Sequence, residues 1–444
     1  MSAIRFPSFL ASVLLVSLFA GVSRGQAAYE AEPINYNKAK PTDPIARLQA
    51  QIDAGQARLE RDGDAPAGSH GYLPSLLKQL GIPTSSQTLV FSKTSFQRDL
   101  ISPESPRALY FNDDVYVGWI RGGEVIEIAS TDPKLGTVFY TLSQRPGAKP
   151  KFVRQTDSCL QCHSGTMTGE VPGLMLRSVH ADANGMPVLT AGTSLTTQDS
   201  PLEERWGGWY VTGMHGTRRH MGNVMAKSRD DDGPLDVDHG ANIASLTDRF
   251  DTAPYLNGGH SDIVALMVFD HQVQAHNLFT QFNYQTQWAV RDSRAINEAL
   301  GKTGGAGAND ELSDSAKRRI SSAGEKLVRY LLFCDEDLIT DRIQGTNTFA
   351  ADFAAKGLRD RKGRSLREFD LRRRIFKYPL SYLIYSPSFD ALPAQAKDYV
   401  YRRLWDVLSG KDTSAPFKHI ATDERQAIVE ILRDTKADLP SYFR

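Results

Sequence analysis

The sequence predicts an α+β fold, with an antiparallel, β-rich domain followed by a mainly helical C-terminal region. Three observations predict it. Four short runs rich in β-branched and aromatic residues, at 108–111, 115–120, 125–129 and 136–142, are separated by Asn112-Asp113-Asp114, Gly122-Gly123 and Asp132-Pro133. Such residues fit a pleated surface, and the separators are good turn formers, so the runs read as a meander. From His260 onward the apolar residues recur at helical spacing instead. Finally, 444 residues with only 3 cysteines exclude a disulfide scaffold, so stability must come from a packed core.

In chain order, residues 1–25 read as a signal peptide. Arg5 supplies a positive start, and residues 9–22 (FLASVLLVSLFAGV) form an apolar run short for a membrane span. Small residues at Ser23, Gly25, Ala27 and Ala28 suit cleavage after Gly25 or Ala27. An uncleaved N-terminal anchor is the alternative. No cysteine lies near the cleavage region, which excludes a lipoprotein anchor.

Residues 26–100 form an irregular lead-in with helical spacing at 45–52 and 73–80, around a loop marked by Gly63, Pro66, Gly68 and Gly71. Residues 101–225 hold the meander. They also hold an expected hairpin of 174–179 with 186–191 around Asp182-Ala183-Asn184-Gly185, and a strand within 206–213. Residues 226–444 are the helical region. Ser261-Asp262 suits the N-terminus of a helix running from Ile263 to about Phe282. Residues 301–314 (GKTGGAGANDELSD) read as a flexible loop, and 315–333, 398–408 and 423–432 as further helices.

Within the β-rich domain stands Cys159-Leu160-Gln161-Cys162-His163. Two thiols separated by two residues, followed at once by an imidazole, match the attachment site of a c-type haem. The thiols of Cys159 and Cys162 add to the haem vinyl groups, and His163 becomes the proximal iron ligand. A redox dithiol and a structural zinc site compete with this reading. The segment before the motif, 152–158, is too polar and broken for the buried parallel strand that precedes a thioredoxin-like dithiol. A zinc site lacks its second cysteine pair, because the remaining Cys334 lies in an apolar run and reads as a buried small hydrophobe. Covalent haem attachment takes place outside the cytoplasm, so motif and signal peptide agree.

The sixth iron position decides the chemistry. A strong ligand suits electron transfer, whereas a vacancy suits ligand binding or peroxide chemistry. The densest supply of donors is the glycine-bounded run 209–223, where His220 is the first candidate and His215 and Met221 are alternatives; Met175 and His180 are outsiders. Arg218 and Arg219 suit haem propionates, since a guanidinium grips a carboxylate with two prongs. His260, Asp262, Asp270, His271 and His276 form a second cluster. His260 and His271 lie about 16 Å apart along a helix, and His271 and His276 diverge by about 140°, so the expected role is structural. The basic run 356–377 is interleaved with Asp360, Glu368 and Asp370 and reads as a solvated face. With 52 basic and 52 acidic residues, a nucleic-acid partner is unsupported and a protein redox partner is expected. Nothing after the signal approaches transmembrane length.

The chain resembles a group of exported, single-haem cytochrome c domain proteins, frequent in environmental bacteria. The resemblance rests on YFNDDVYVGW at 110–119, on the haem motif and on GGWYVTG at 207–213, with SLREFDL at 365–371 and YLIYS at 382–386. It spans most of the mature chain. It implies one covalent haem on Cys159 and Cys162 with His163 proximal, and no established reaction. A looser resemblance, at the level of fold, links the motif and its sheet to PAS-like haem sensor domains. The expectation is an exported electron-transfer cytochrome; a peroxidase-like haem enzyme or a redox or gas sensor is the alternative.

Overall fold

A seven-stranded antiparallel sheet organises the protein. The computed structural model describes residues 27–63, 69–147, 149–228, 230, 233–301 and 312–443; the expected signal peptide and most of the expected 301–314 loop fall outside them. Helix α1 (Pro44–Asp53) starts at Asp43, whose carboxylate accepts the amides of Ile45 and Ala46, and α2 (Leu73–Leu80) follows. The strands are β1 (Thr88–Val90), β2 (Arg107–Phe111), β3 (Val115–Trp119), β4 (Val125–Asp132), β5 (Gly136–Ser143) and β6 (Phe152–Gln155). Helix α3 (Leu160–His163) comes next, then β7 (Arg177–Val179), β8 (Thr193–Leu195) and β9 (Trp209–Tyr210). The sheet order is β6-β5-β4-β3-β2-β1-β9, with β7 and β8 forming a separate pair.

The meander thus forms as its β-branched and aromatic runs and the turn formers between them predict, and its strands are buried on both faces over most of their length. Three details differ from expectation. The polar segment before the motif does form a strand, β6, but antiparallel and at a sheet edge, where one side needs no partner. Asn184-Gly185 makes its turn, with Gly185 at φ 78° and its amide bonded to the Asp182 carbonyl. However, Arg177–Val179 pairs with Thr193–Leu195 rather than with 186–191. Of the 206–213 run, only Trp209–Tyr210 joins the sheet, against β1.

Helix α4 (Ile263–Ala299), capped by Asp262 as expected, continues well past Phe282. Phe269 stacks on Phe111 and Tyr116 at 4.9 and 5.4 Å, so α4 covers one end of a sheet face. The opposite face is covered by the lead-in, where Tyr140 donates to Asp43 at 2.6 Å and Arg154 donates to the Ala39 and Tyr36 carbonyls. Helices α5 (Asp314–Leu331), α6 (Phe349–Ala355), α7 (Pro387–Asp390), α8 (Ala394–Leu408) and α9 (Thr422–Thr435) complete the chain. A single cluster of buried apolar residues runs from Tyr29 to Phe443, so the lead-in, the β-rich segment and the helical region share one core.

Candidate functional site

Antiparallel register aligns one side chain from each of five strands. Leu109 opposes Gly118, Gly118 opposes Glu127, Glu127 opposes Thr141 and Thr141 opposes Val153. Directly opposed residues point to the same side, so this row crosses one face from β2 to β6. It lies beyond the end covered by α4 and stays half-open: Val153 is 49 % exposed, and Glu127 and Thr141 are half-buried. Second in the row, Gly118 contributes no side chain, leaving only the stems of Leu109 and Arg107 over that strand.

The cysteine motif stands at the β6 end of this face. Strand β6 ends at Gln155, and the chain then turns into α3, where the His163 amide bonds the Cys159 carbonyl at 2.9 Å. That turn places Cys159 and Cys162 three residues apart on one helical face. Cys162 is exposed and Cys159 half-buried. The His163 ring lies 5.0 Å from Phe139, which shares the open face with Thr141. Its Nδ1 pairs with the Gly173 carbonyl at 3.0 Å. Because a carbonyl only accepts, Nδ1 carries the proton, and Nε2 keeps its lone pair for a metal. Burial pushes His163 down to about 4, with the Gly173 carbonyl pulling the other way, so the ring is neutral near pH 7. Gly173 is fixed in turn: Asn277 on α4 accepts the Leu174 amide and donates to the Leu174 carbonyl.

Burial raises the Cys159 thiol to about 11, and the nearby Glu127 charge adds to the effect. A dithiol nucleophile needs a lowered thiol pKa, so this site does not suit thioredoxin-like exchange. Among the described residues no three His, Cys, Asp or Glu side chains converge as a metal cluster, which leaves the zinc reading without its ligands.

The residues expected on the far side of the iron lie elsewhere. His215, His220 and Met221 follow β9 at the opposite sheet edge: the Met221 amide bonds the Arg205 carbonyl, and His220 packs on Trp206 at 5.5 Å. His163 packs on β5, five strand spacings from β9, about 24 Å along the sheet at ~4.8 Å per spacing. Two axial donors on one iron stand within about 5 Å, roughly twice a metal–nitrogen bond. These side chains are also already engaged. His215 bonds the Arg218 carbonyl through Nδ1 and accepts the Asn242 amide at Nε2, both at 3.0 Å. His220 accepts the Gly222 amide at 3.0 Å, and the Met221 sulfur meets Ser178 at 3.6 Å. Arg218 forks onto Glu203 and reaches Asp337, while Arg219 pairs with Asp238. None of the five lies beside His163.

The second histidine cluster diverges as helical geometry requires. His271 bonds Gln198 and Ser381, whereas His276 bonds the Asp113 carbonyl. The basic run is neutralised locally, by pairs such as Arg364 with Asp360 and Glu430, and Arg374 with Glu424. No helix among the described residues is long and apolar enough to cross a membrane.

Sequence reading passed over Arg107, Glu127, Ser95 and Gln97, which stand on the open face. Glu127 accepts from Arg107 at 2.8 Å, from Ser95 at 3.0 Å and from Gln97 at 3.2 Å. One signal was available: a carboxylate sits inside the apolar run VIEIA at 125–129, where strand alternation demands a partner for it. No protein-family model matches the chain, and neither a curated protein nor a solved structure proves significantly similar to it.

Proposed function

We propose that the chain is an exported c-type cytochrome that carries one haem, attached through Cys159 and Cys162 and ligated by His163, and that it serves in electron transfer. The observation that carries the reading is the pairing of His163 Nδ1 with the Gly173 carbonyl beside two accessible cysteines. It fixes the tautomer that a proximal ligand needs and leaves Nε2 free. The chemistry of the donor set fits the group: two thiols on one helical turn, a neutral imidazole, and an adjacent half-open face whose row ends on Leu109 and Val153 and leaves Gly118 without a side chain. Bound there, a haem supplies one-electron exchange between ferrous and ferric iron. The protein's own contribution is to hold the imidazole, exclude water along the sheet and keep one edge open for a partner. Half-exposure of the Cys162 side suits electron transfer, since a partner can approach closely.

An open sixth position is the second reading, and one observation favours it: the expected distal donors lie at the other sheet edge. The same placement also takes away the histidines that a peroxidase-like site would use as acid and base. Ligand sensing therefore gains more from it than peroxide chemistry does.

Expression with the haem-maturation machinery decides the first point. The wild type should carry covalent haem after denaturation, seen as a mass increase and a haem stain, and the Cys159→Ala/Cys162→Ala variant should carry none. Wild type without covalent haem overturns the proposal. Carbon monoxide binding by the reduced protein separates the two readings, because a six-coordinate carrier ignores it.

A further inference from the structure

We propose that Arg107, held by Glu127 on the open sheet face, is the cation that receives a haem propionate, and that Glu127, Ser95 and Gln97 form the polar end of the haem cleft. The inference rests on the haem reading above and replaces Arg218 and Arg219 in that role.

Four observations carry it. Arg107 and Glu127 lie on the face that His163 borders: Arg107 is two residues along β2 from Leu109, and Glu127 occupies the row itself. The Arg107 guanidinium reaches across β3 to Glu127 on β4, the strand beside the β5 on which His163 packs. The guanidinium is incompletely used. One arm bonds Glu127 at 2.8 Å, while Nε is buried with no hydrogen-bond partner. A buried donor left without an acceptor is costly, and Nε with one terminal nitrogen forms an edge that matches a carboxylate.

The surroundings are shaped for a flat, amphipathic group. Glu127 is clamped by Ser95 and Gln97, and Gln97 also bonds the backbone of Val125. Between the two clamping residues, Phe96 stands 73 % exposed. Val153, at the other end of the row, is also an exposed apolar side chain. The face therefore ends on the exposed Val153 and offers one cation on a fixed carboxylate. Arg218 and Arg219 are paired with acids at the far sheet edge, whereas Arg107 keeps an unmatched donor on the face that His163 borders.

The test is the midpoint potential of the purified holoprotein, measured from pH 5 to pH 8. Removing a positive charge beside the haem favours ferric iron, so Arg107→Gln should shift the redox equilibrium about tenfold toward the oxidised form, which is ~59 mV for one electron. Removing the negative charge in Glu127→Gln should shift it the other way. Arg107→Gln should also acquire a pH-dependent midpoint, since a propionate without its cation titrates nearer neutrality, while Arg107→Lys keeps a flat profile. Covalent haem should persist in all three.

Unchanged midpoints, shifts of one sign in both variants, or a flat pH profile in Arg107→Gln overturn the inference while leaving the haem proposal standing. Should Arg107→Gln fail to accumulate, Glu127→Gln decides, and an unchanged midpoint there overturns it. Wild type without covalent haem sinks both.

Discussion

Two edges of one sheet carry the same kinds of residue and differ in what those residues still lack. At the β9 edge, His215, His220, Trp206, Arg205 and Arg218 are packed and hydrogen-bonded. Trp206 is fully buried and donates to Asp270 at 3.0 Å, with Arg205 3.7 Å from the same carboxylate. At the β6 edge, Cys159, Cys162 and His163 border open surface and keep two thiols and one imidazole nitrogen unused, and farther along the same face Arg107 of β2 keeps one buried guanidinium N–H without a partner. His215 has both ring nitrogens bonded and His220 is fully buried against Trp206 and His215, so these rings serve the packing of the protein. Side chains with a free donor or acceptor facing space are the ones available to a ligand.

The sharpest way to break this contrast is to exchange histidines. His163→Ala should abolish the native haem spectrum, whereas His220→Ala should leave it unchanged while costing about 1–3 kcal/mol of stability through lost burial and an orphaned Gly222 amide. A spectrum altered by His220→Ala would return that residue to the iron. Trp206→Ala should cost about 3–5 kcal/mol in denaturant unfolding, as for other buried aromatics, and spare covalent haem.

Next comes pH. Burial pushes His220 and His271 down to about 3, so each stays neutral when folded at pH values where an unfolded histidine, with its ordinary pKa of about 6.5, gains a proton. The unfolded state then binds more protons, so the stability linked to each ring is lost as pH falls from about 6.5 toward 3, by up to about 1.4 kcal/mol per unit. Unfolding midpoints of His271→Gln against wild type at pH 7 and pH 4.5 check this, and the wild type should lose more on acidification. The smallest effect belongs to Arg218→Ala. Its pair with the largely exposed Glu203 is screened by solvent, so the cost should stay near 1 kcal/mol or below.

The meander was legible because it is local. β-Branched and aromatic runs and the turn at Asn112-Asp113-Asp114 specify four neighbouring strands without reference to distant chain. Strand β6 was obscured by its polar edge position, and β1 by having only three residues. Asn184-Gly185 was a true turn signal that misled about pairing, because the chain runs on through Val188 before β8 forms. The motif itself was fully readable, since its chemistry lies in spacing. Its opposite side was not. Which histidine meets which partner depends on contacts across the fold, such as Asn242 with His215, and nothing in the run 209–223 distinguishes a satisfied imidazole from a free one. The Arg107–Glu127 pair was hidden for the same reason, being assembled from two strands across Gly118.

The sheet's connectivity also sets an order of events. Strands β2 to β6 join neighbours in sequence, so the sheet beside the motif depends on contacts that close quickly, whereas the Gly173 segment that holds His163 waits for Asn277 on α4. The β1–β9 pairing joins Leu89 to Tyr210, about 120 residues apart, and must first meet a large loop-closure entropy. In a chain that emerges from its N-terminus, the ground around Cys159 and Cys162 is laid before the far edge can dock. The sheet beside the proposed attachment site is thereby uncoupled in time from the slower closure that completes the protein.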